Sequence, residues 1–176
     1  MSLKNNIELF DVYDANKQKT GKIIKRGERL KKDEFKIFVQ VWLKDENNRI
    51  LLEKRTANVT SPHLWCAVGG HLKSGEDALT ACIRETMEEV GIDVRKFKGG
   101  YLEERKYYLD DQSYFCDTFV FFISSTLSFK IQKEEVEKVA FFTFDELREE
   151  MKKGNTFTYW LDYLEKIEKA NINSKY

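Results

Sequence analysis

Residues 70–92 read GHLKSGEDALTACIRETMEEVGI and hold one helix between two glycine-bearing turns. The helix is expected over Asp77–Val90. Ser74, three residues earlier, resembles the start of a capping box, and Gly91 is a natural stop. At about 100° per residue, Leu79, Cys82, Ile83, Thr86, Met87 and Val90 share one broad face, polar only at Thr86. Glu85, Glu88 and Glu89 fall on a second arc. Side chains three and four positions apart sit about 5–6 Å from each other, so these carboxylates repel. Arg84 can pair with Glu88 at i+4. Taken alone, the acidic triplet fits a solvated face or a cation site. Hard cations take oxygen ligands, and Mg²⁺ usually joins one or two carboxylates to substrate phosphates. A divalent ion here would relieve the repulsion and offer a diphosphate a seat. Gly69-Gly70 would let backbone approach the metal or ligand closely.

Outward from this stretch, strands give the clearest signal. Residues 37–43 (IFVQVWL) are β-branched and aromatic, as a buried strand is. The turn DENN at 45–48 leads into a hairpin partner over 49–55 (RILLEKR). Further strands are expected over Tyr101–Leu109, Phe115–Ser124 and Lys138–Phe144. A short helix over Asp145–Lys153 stops at Gly154. Thr156–Lys169 places Phe157, Trp160, Leu161, Leu164 and Ile167 at helical spacing, an amphipathic C-terminal helix. Lys-rich residues 14–36 read as an N-terminal extension or surface hairpin. The expected class is α/β or α+β, with strands interspersed among a few helices.

Composition narrows the function classes. One domain is expected from 176 residues, spanning 1–176 with the extension or hairpin at 1–36 and the C-terminal helix at 156–170. Lys+Arg and Asp+Glu both number 30, which gives no electrostatic case for a nucleic-acid polymer or an anionic membrane as partner. No run nears the ~18 apolar residues of a spanning helix. The first residues, MSLKNNIELFDVYD, lack the apolar stretch of a signal peptide. Cys66, Cys82 and Cys116 are an odd number without metal spacing, which suits a reduced, cytoplasmic setting.

The order of the fixed residues weighs toward the cation reading. Gly70, Glu76, Arg84-Glu85, Glu88-Glu89, Gly91 and Ile92 resemble the Nudix box: Gly, five residues, Glu, seven residues, Arg-Glu, an apolar residue, any residue, Glu-Glu, any residue, Gly, an apolar residue. The one departure is Thr86, where the family prefers an aliphatic residue. A weaker likeness from Ile7-Glu8-Leu9-Phe10-Asp11-Val12 to Phe142 is similar to the branch related to isopentenyl-diphosphate isomerase. The resemblance implies a mixed, curved sheet sandwiched between helices, and hydrolysis of a nucleoside diphosphate linked to another moiety. It implies Mg²⁺ or Mn²⁺ as cofactor, held by Glu85, Glu88 and Glu89, with the Gly69 carbonyl and Glu135 (Glu134 next) as further ligands. Glu85 or Glu88 would orient or deprotonate the attacking water, and the residues leave the choice open. Glu76 and Arg84 would tie loop to helix. Homodimerisation, through Ile7–Val12 or the C-terminal helix, is a family-level expectation.

Outside the triplet, Arg55 with Lys54 is a candidate phosphate contact. Trp65 can stack on a base or pack beneath the box, and His71 and Lys73 can face phosphate. Tyr101, Tyr107, Tyr108, Tyr114 and Phe115 are candidate pocket walls or core. Cys82 reads as packing. The isomerase alternative needs a cysteine at position 69, where Gly69 stands; Cys66 lies three residues early. A non-catalytic nucleotide-binding module usually loses a box glutamate, and this chain keeps all of them. Loops 14–36, 54–65 and 106–113 are expected to choose what the diphosphate carries.

Overall fold

A computed structural model describes residues 7–171; the first six residues, part of the sequence read for a signal peptide, lie outside it, as do 172–176. The elements run β1 (Leu9–Tyr13), β2 (Lys19–Lys25), β3 (Lys36–Lys44), β4 (Ile50–Arg55), β5 (Trp65–Cys66), β6 (Val68–His71), α1 (Ala78–Glu89), β7 (Lys98–Tyr107), β8 (Tyr114–Phe122), β9 (Val136–Phe142), α2 (Phe144–Lys152) and α3 (Leu161–Lys169). β1 and β2 form a separate antiparallel hairpin. The main sheet is mixed. Its path runs β5-β4-β3-β8-β7, with β6 on β3 and β9 on β4; among the described strands β3–β8 is the parallel pair. The class is α+β, as the strand and helix pattern implies.

Successive strand side chains point to opposite faces. In β3, Ile37, Val39, Val41 and Leu43 enter the core beneath α1, together with Leu51, Val68, Cys82 and Val90. Trp42 points the other way, into a second core with Leu52, Leu147, Trp160, Tyr163, Leu164 and Ile167. The sheet therefore lies between α1 on one side and α2 and α3 on the other. Lys44, also on that second face, caps the end of α3. Its Nζ donates to the carbonyls of Glu168 and Ala170, both at 2.6 Å, supplying the last turn with the donors it lacks.

Several expected boundaries shift. Asp77 itself caps α1, accepting from the Thr80 amide at 2.7 Å, while Ser74 is committed elsewhere: its hydroxyl donates to Asp11 Oδ1 at 2.7 Å. That bond, with Ser74 N to the Leu9 carbonyl at 2.7 Å, fastens the N-terminal hairpin to the loop before α1. The C-terminal helix begins at Leu161, after a 3-10 turn over Thr158–Trp160. Thr156 instead bridges to Trp65, to whose carbonyl its hydroxyl donates at 2.7 Å. The first strand after α1, β7, starts earlier than expected, at Lys98, and ends at Tyr107.

Candidate active site

The polarity of α1 departs from the helical reading. Leu79 and Met87 are 51% and 47% exposed. Ala81, Cys82, Glu85, Thr86 and Glu89 are the buried residues. The helix is rotated so that two carboxylates, and not the two long apolar side chains, meet the sheet. Thr86 tolerates full burial because its hydroxyl donates to the Cys82 carbonyl at 2.8 Å, leaving its methyl to pack.

The loop before α1 is built for that burial. Arg84 grips Glu76 with a fork, Nε to Oε1 at 2.7 Å and Nη2 to Oε2 at 2.8 Å. Its Nη1 holds Glu85 Oε1 at 2.6 Å, and Nη2 reaches the His71 carbonyl at 3.2 Å. This is the loop-to-helix tie that the sequence implies, and bidentate geometry makes it a strong one. Gly70 is required by Glu85: a Cβ there would sit 1.9 Å from Glu85 Oε1. Gly69 is required by the sheet, since its Cβ would sit 2.3 Å from the Val39 carbonyl oxygen. The two glycines thus admit a carboxylate and a neighbouring strand, a different reason from direct approach to a ligand. The Gly69 amide donates to Glu89 Oε2 at 3.1 Å.

Electrostatics set these carboxylates apart. Burial raises Glu85 above the ordinary range, with Arg84 opposing. Glu89, 4% exposed, is raised well above it, first by burial and then by the charges of Glu53 and Glu85. Glu88 lies nearer the surface: its side chain is 45% exposed, with Arg84 Nη1 at 3.4 Å and Lys73 Nζ at 3.9 Å.

The sequence reading missed Glu53. It lies on β4, two residues past Leu51, which packs in the core beneath α1. Strand alternation therefore turns Glu53 toward the same face. It is 2% exposed. The Cys66 thiol donates to its Oε1 at 3.4 Å, and Oε2 has no partner among the described residues. Burial lifts its pKa to about 7. The signal was available in the alternation Leu51, Glu53, Arg55, which puts a carboxylate in line with a core leucine.

The other expected residues divide. Arg55 ends β4, bound to the Thr60 carbonyl at 2.7 Å. It lines two clefts. One, of about 410 Å³, is walled by Phe38, Gln40, Cys66, His71, Tyr114, Phe157 and Tyr159. The other, of about 970 Å³, carries Lys25, Arg26, Lys73 and Glu135. Glu135 directly precedes β9 and joins Arg55 there; Glu134 offers its carbonyl to the Thr56 hydroxyl at 2.9 Å. His71 is in the aromatic wall, edge-on to Phe10 and Phe38. Its Nδ1 lies 3.2 Å from the Ile37 carbonyl, and burial lowers its pKa to about 3. It is a neutral ring, so it does not meet phosphate as a cation. Trp65 is not brought to these clefts' walls: its ring packs edge-on against Phe142, with Lys138 Nζ above it. Tyr107 stacks on Tyr114, while Tyr101 and Tyr108 are largely exposed. Cys82 is core, as expected. The thiol of Cys66 is held protonated by burial.

Glu53, Glu85 and Glu89 are hard oxygen donors under too little positive charge, one with an orphaned oxygen, and that chemistry fits a divalent cation. Their oxygens are not drawn together: among the described residues no group of three His, Cys, Asp or Glu side chains is gathered as a formed metal centre.

Comparison with known proteins agrees with this geometry. The NUDIX domain model matches residues 35–161. A Nudix hydrolase of Listeria monocytogenes is 31% identical over 160 residues, covering 88% of this chain and 90% of that one. A second, from Listeria innocua, is 30% identical over 162 residues, with the same coverage. Among solved structures, DR0079 from Deinococcus radiodurans superposes with a TM-score of 0.76 at 16% identity, covering 91% of this chain and 99% of that one. A C. elegans Ap4A hydrolase superposes at 0.60 with 19% identity, covering 74% and 93%. The chain belongs to the Nudix family. It is a hydrolase of the class that opens pyrophosphate bonds, and enzymes of this family generally use a divalent metal.

Proposed function

We propose that the protein is a divalent-metal-dependent pyrophosphohydrolase that cleaves the diphosphate linkage of a nucleoside diphosphate derivative. The observation that carries this reading is the position of Arg55. It stands between an aromatic-walled cleft and a charged cleft that also holds Glu135. A diphosphate at Arg55 would put a flat ring among Phe38, Tyr114 and Tyr159. The aromatic cleft's volume of about 410 Å³ lies within the usual range for small-molecule sites. In it Gln40, whose side-chain oxygen accepts from the Tyr163 hydroxyl, is left with its amide donors for the edge of a base.

The cation would be held by Glu85, Glu88 and Glu89, with the Gly69 carbonyl and Glu135 as further donors. Bound there, Mg²⁺ or Mn²⁺ supplies charge neutralisation of the diphosphate and a lowered pKa for water. Arg84 fixes Glu85 so that its oxygens keep their place. Glu88 is the carboxylate with open access to solvent, and it is the better base for a proton leaving the attacking water. Arg55 neutralises phosphate charge that the cation leaves uncovered. Trp65 has no part in this scheme, and His71 serves as an apolar wall.

The test is a panel of nucleoside di- and triphosphates, nucleotide sugars, dinucleotides (the class named for the C. elegans neighbour) and coenzyme-like diphosphates. Each is incubated with Mg²⁺ or Mn²⁺, and released phosphate and mononucleotide are measured. Turnover of at least one compound, abolished by chelation, is the expected result. Tight nucleotide binding without product would make the protein a binding module.

A further inference from the structure

We infer that Glu53 supplies a carboxylate ligand to the cation site from the sheet side, opposite the helix that carries the box glutamates. This rests on the metal-dependent reading above and adds a ligand that the box does not contain. Three observations carry it. The first is placement: β4 alternation puts Glu53 on the face of Leu51, which packs beneath α1. The second is the orphaned oxygen. Glu53 is 2% exposed and among the described residues Oε2 meets no donor, and a buried, unpaired carboxylate oxygen is costly unless something positive comes to it. The third is the company it keeps. Glu89, on the helix over that face, is buried as well and pinned to the Gly69 amide. The nearby cations are engaged elsewhere. Arg55 is turned to Thr60 and the Cys66 sulfur, and Arg84 to Glu76 and Glu85. A weak thiol donor from Cys66 is what Glu53 has in their place. A divalent ion between strand and helix would satisfy Glu53 and Glu89 together.

The experiment is a Mn²⁺ titration of the full chain followed by electron paramagnetic resonance, with no substrate present, on the wild type, Glu53→Gln and Cys66→Ala. Melting temperatures of the three are taken in chelator. Glu53→Gln keeps the shape and one hydrogen-bond acceptor while removing the charge. It is expected to weaken Mn²⁺ binding by about 10–100-fold, and its melting temperature in chelator is expected to match or exceed the wild type's. Cys66→Ala is expected to leave Mn²⁺ affinity within about twofold. Unchanged affinity in Glu53→Gln, above all with a lowered melting temperature, would make Glu53 a structural acceptor for Cys66 and overturn the inference alone. An equal loss of affinity in Cys66→Ala would assign the effect to the thiol contact and overturn it too. No Mn²⁺ binding by the wild type would bring down both this inference and the metal-dependent function.

Discussion

Helices α1 and α3 lie on opposite faces of the same sheet and obey opposite rules. α3 buries Tyr163, Leu164 and Ile167 and leaves Asp162, Glu165 and Lys166 outside, as amphipathic periodicity demands; of the expected stripe, Leu161 at its first turn is exposed. α1 buries Glu85 and Glu89 and leaves Leu79 and Met87 outside. A helix that only packs turns its apolar stripe inward, because each buried aliphatic side chain contributes roughly 1.5–3 kcal/mol. A helix that buries carboxylates gives up part of that contribution and carries a desolvation cost besides. The difference separates a helix that only packs from one that packs through Ala81, Cys82 and Val90 and also holds two carboxylates against the sheet. It follows that substitutions on α1 should read out mainly as turnover, and those on α3 mainly as stability.

The largest effect should come from Glu88→Gln. The side chain is nearly half exposed and meets Arg84 and Lys73 only at 3.4 and 3.9 Å, so the fold should be unchanged within about 0.5 kcal/mol. On the protein's best substrate, kcat should fall by about 10²–10⁴-fold, the usual worth of a positioned base. Steady-state kinetics beside a chemical melt decide it. Wild-type turnover in this variant would remove Glu88 from the reaction and leave Glu85 as the base.

Across the sheet, Ile167→Ala should do the reverse. Ile167 is fully buried among Trp42, Trp160 and Leu164, and such a truncation costs about 2–5 kcal/mol. Urea unfolding should show that loss, while kcat at a temperature where the variant stays folded remains near wild type. A large fall in kcat at intact stability would mean that the two faces are coupled and that packing on the α3 side also sets turnover.

What the residues disclosed in advance follows the same division. The strands around Ile37–Leu43, Arg49–Arg55 and Phe115–Ser124 carry their own periodicity, and the structure puts strands there. The box is legible because its fixed residues lie within one local segment. The short pair β5 and β6 is not: Trp65 to His71 has no alternation to read, and it becomes strand only because β4 and β3 lie ready to pair with it. The same holds for His71, whose neutrality comes from Phe10 and Phe38 on other strands. Glu53 is the instructive miss. Alternation with Leu51 sets its face, but nothing within the strand shows that the face is covered at that point. Its burial is imposed from outside the strand, by β5 and by the face under α1.

A pH series sharpens the contrast, with a middle-sized effect. Glu53 goes from 4.5 up to about 7 on folding, so the folded chain holds that proton more tightly than the unfolded one. The stability this contributes is complete below pH 4.5 and lost as pH rises through 7. His71 goes the other way, from 6.5 to about 3; its contribution is present above pH 6.5 and lost as pH falls toward 3. The two oppose each other in the wild type, so the readout is a difference. In chelator, the stability of Glu53→Gln relative to wild type should be near its minimum at pH 4.5 and climb by ~3 kcal/mol by pH 8, at about 1.4 kcal/mol per unit. Added Mn²⁺ should shrink that difference at pH 8, because it stabilises the wild-type carboxylate. A flat difference from pH 4.5 to 8 would show that Glu53 titrates at its ordinary value.

The smallest effect is the most direct check on how α1 is rotated. Met87 belongs to the apolar arc of the helical reading, yet it is 47% exposed. If that arc faced the core, Met87→Lys would bury a charge and cost several kcal/mol. With the rotation described here, the lysine head reaches water and its stem covers the same surface, so stability should move by no more than about 0.5 kcal/mol. The added charge sits next to Glu88 in sequence, on a neighbouring part of the helix surface. KM can therefore shift modestly at low salt, and that shift should fade as ionic strength rises. A loss of more than 2 kcal/mol in urea would turn Met87 inward and the carboxylates outward, and the buried charge on which the comparison of α1 with α3 depends would no longer exist.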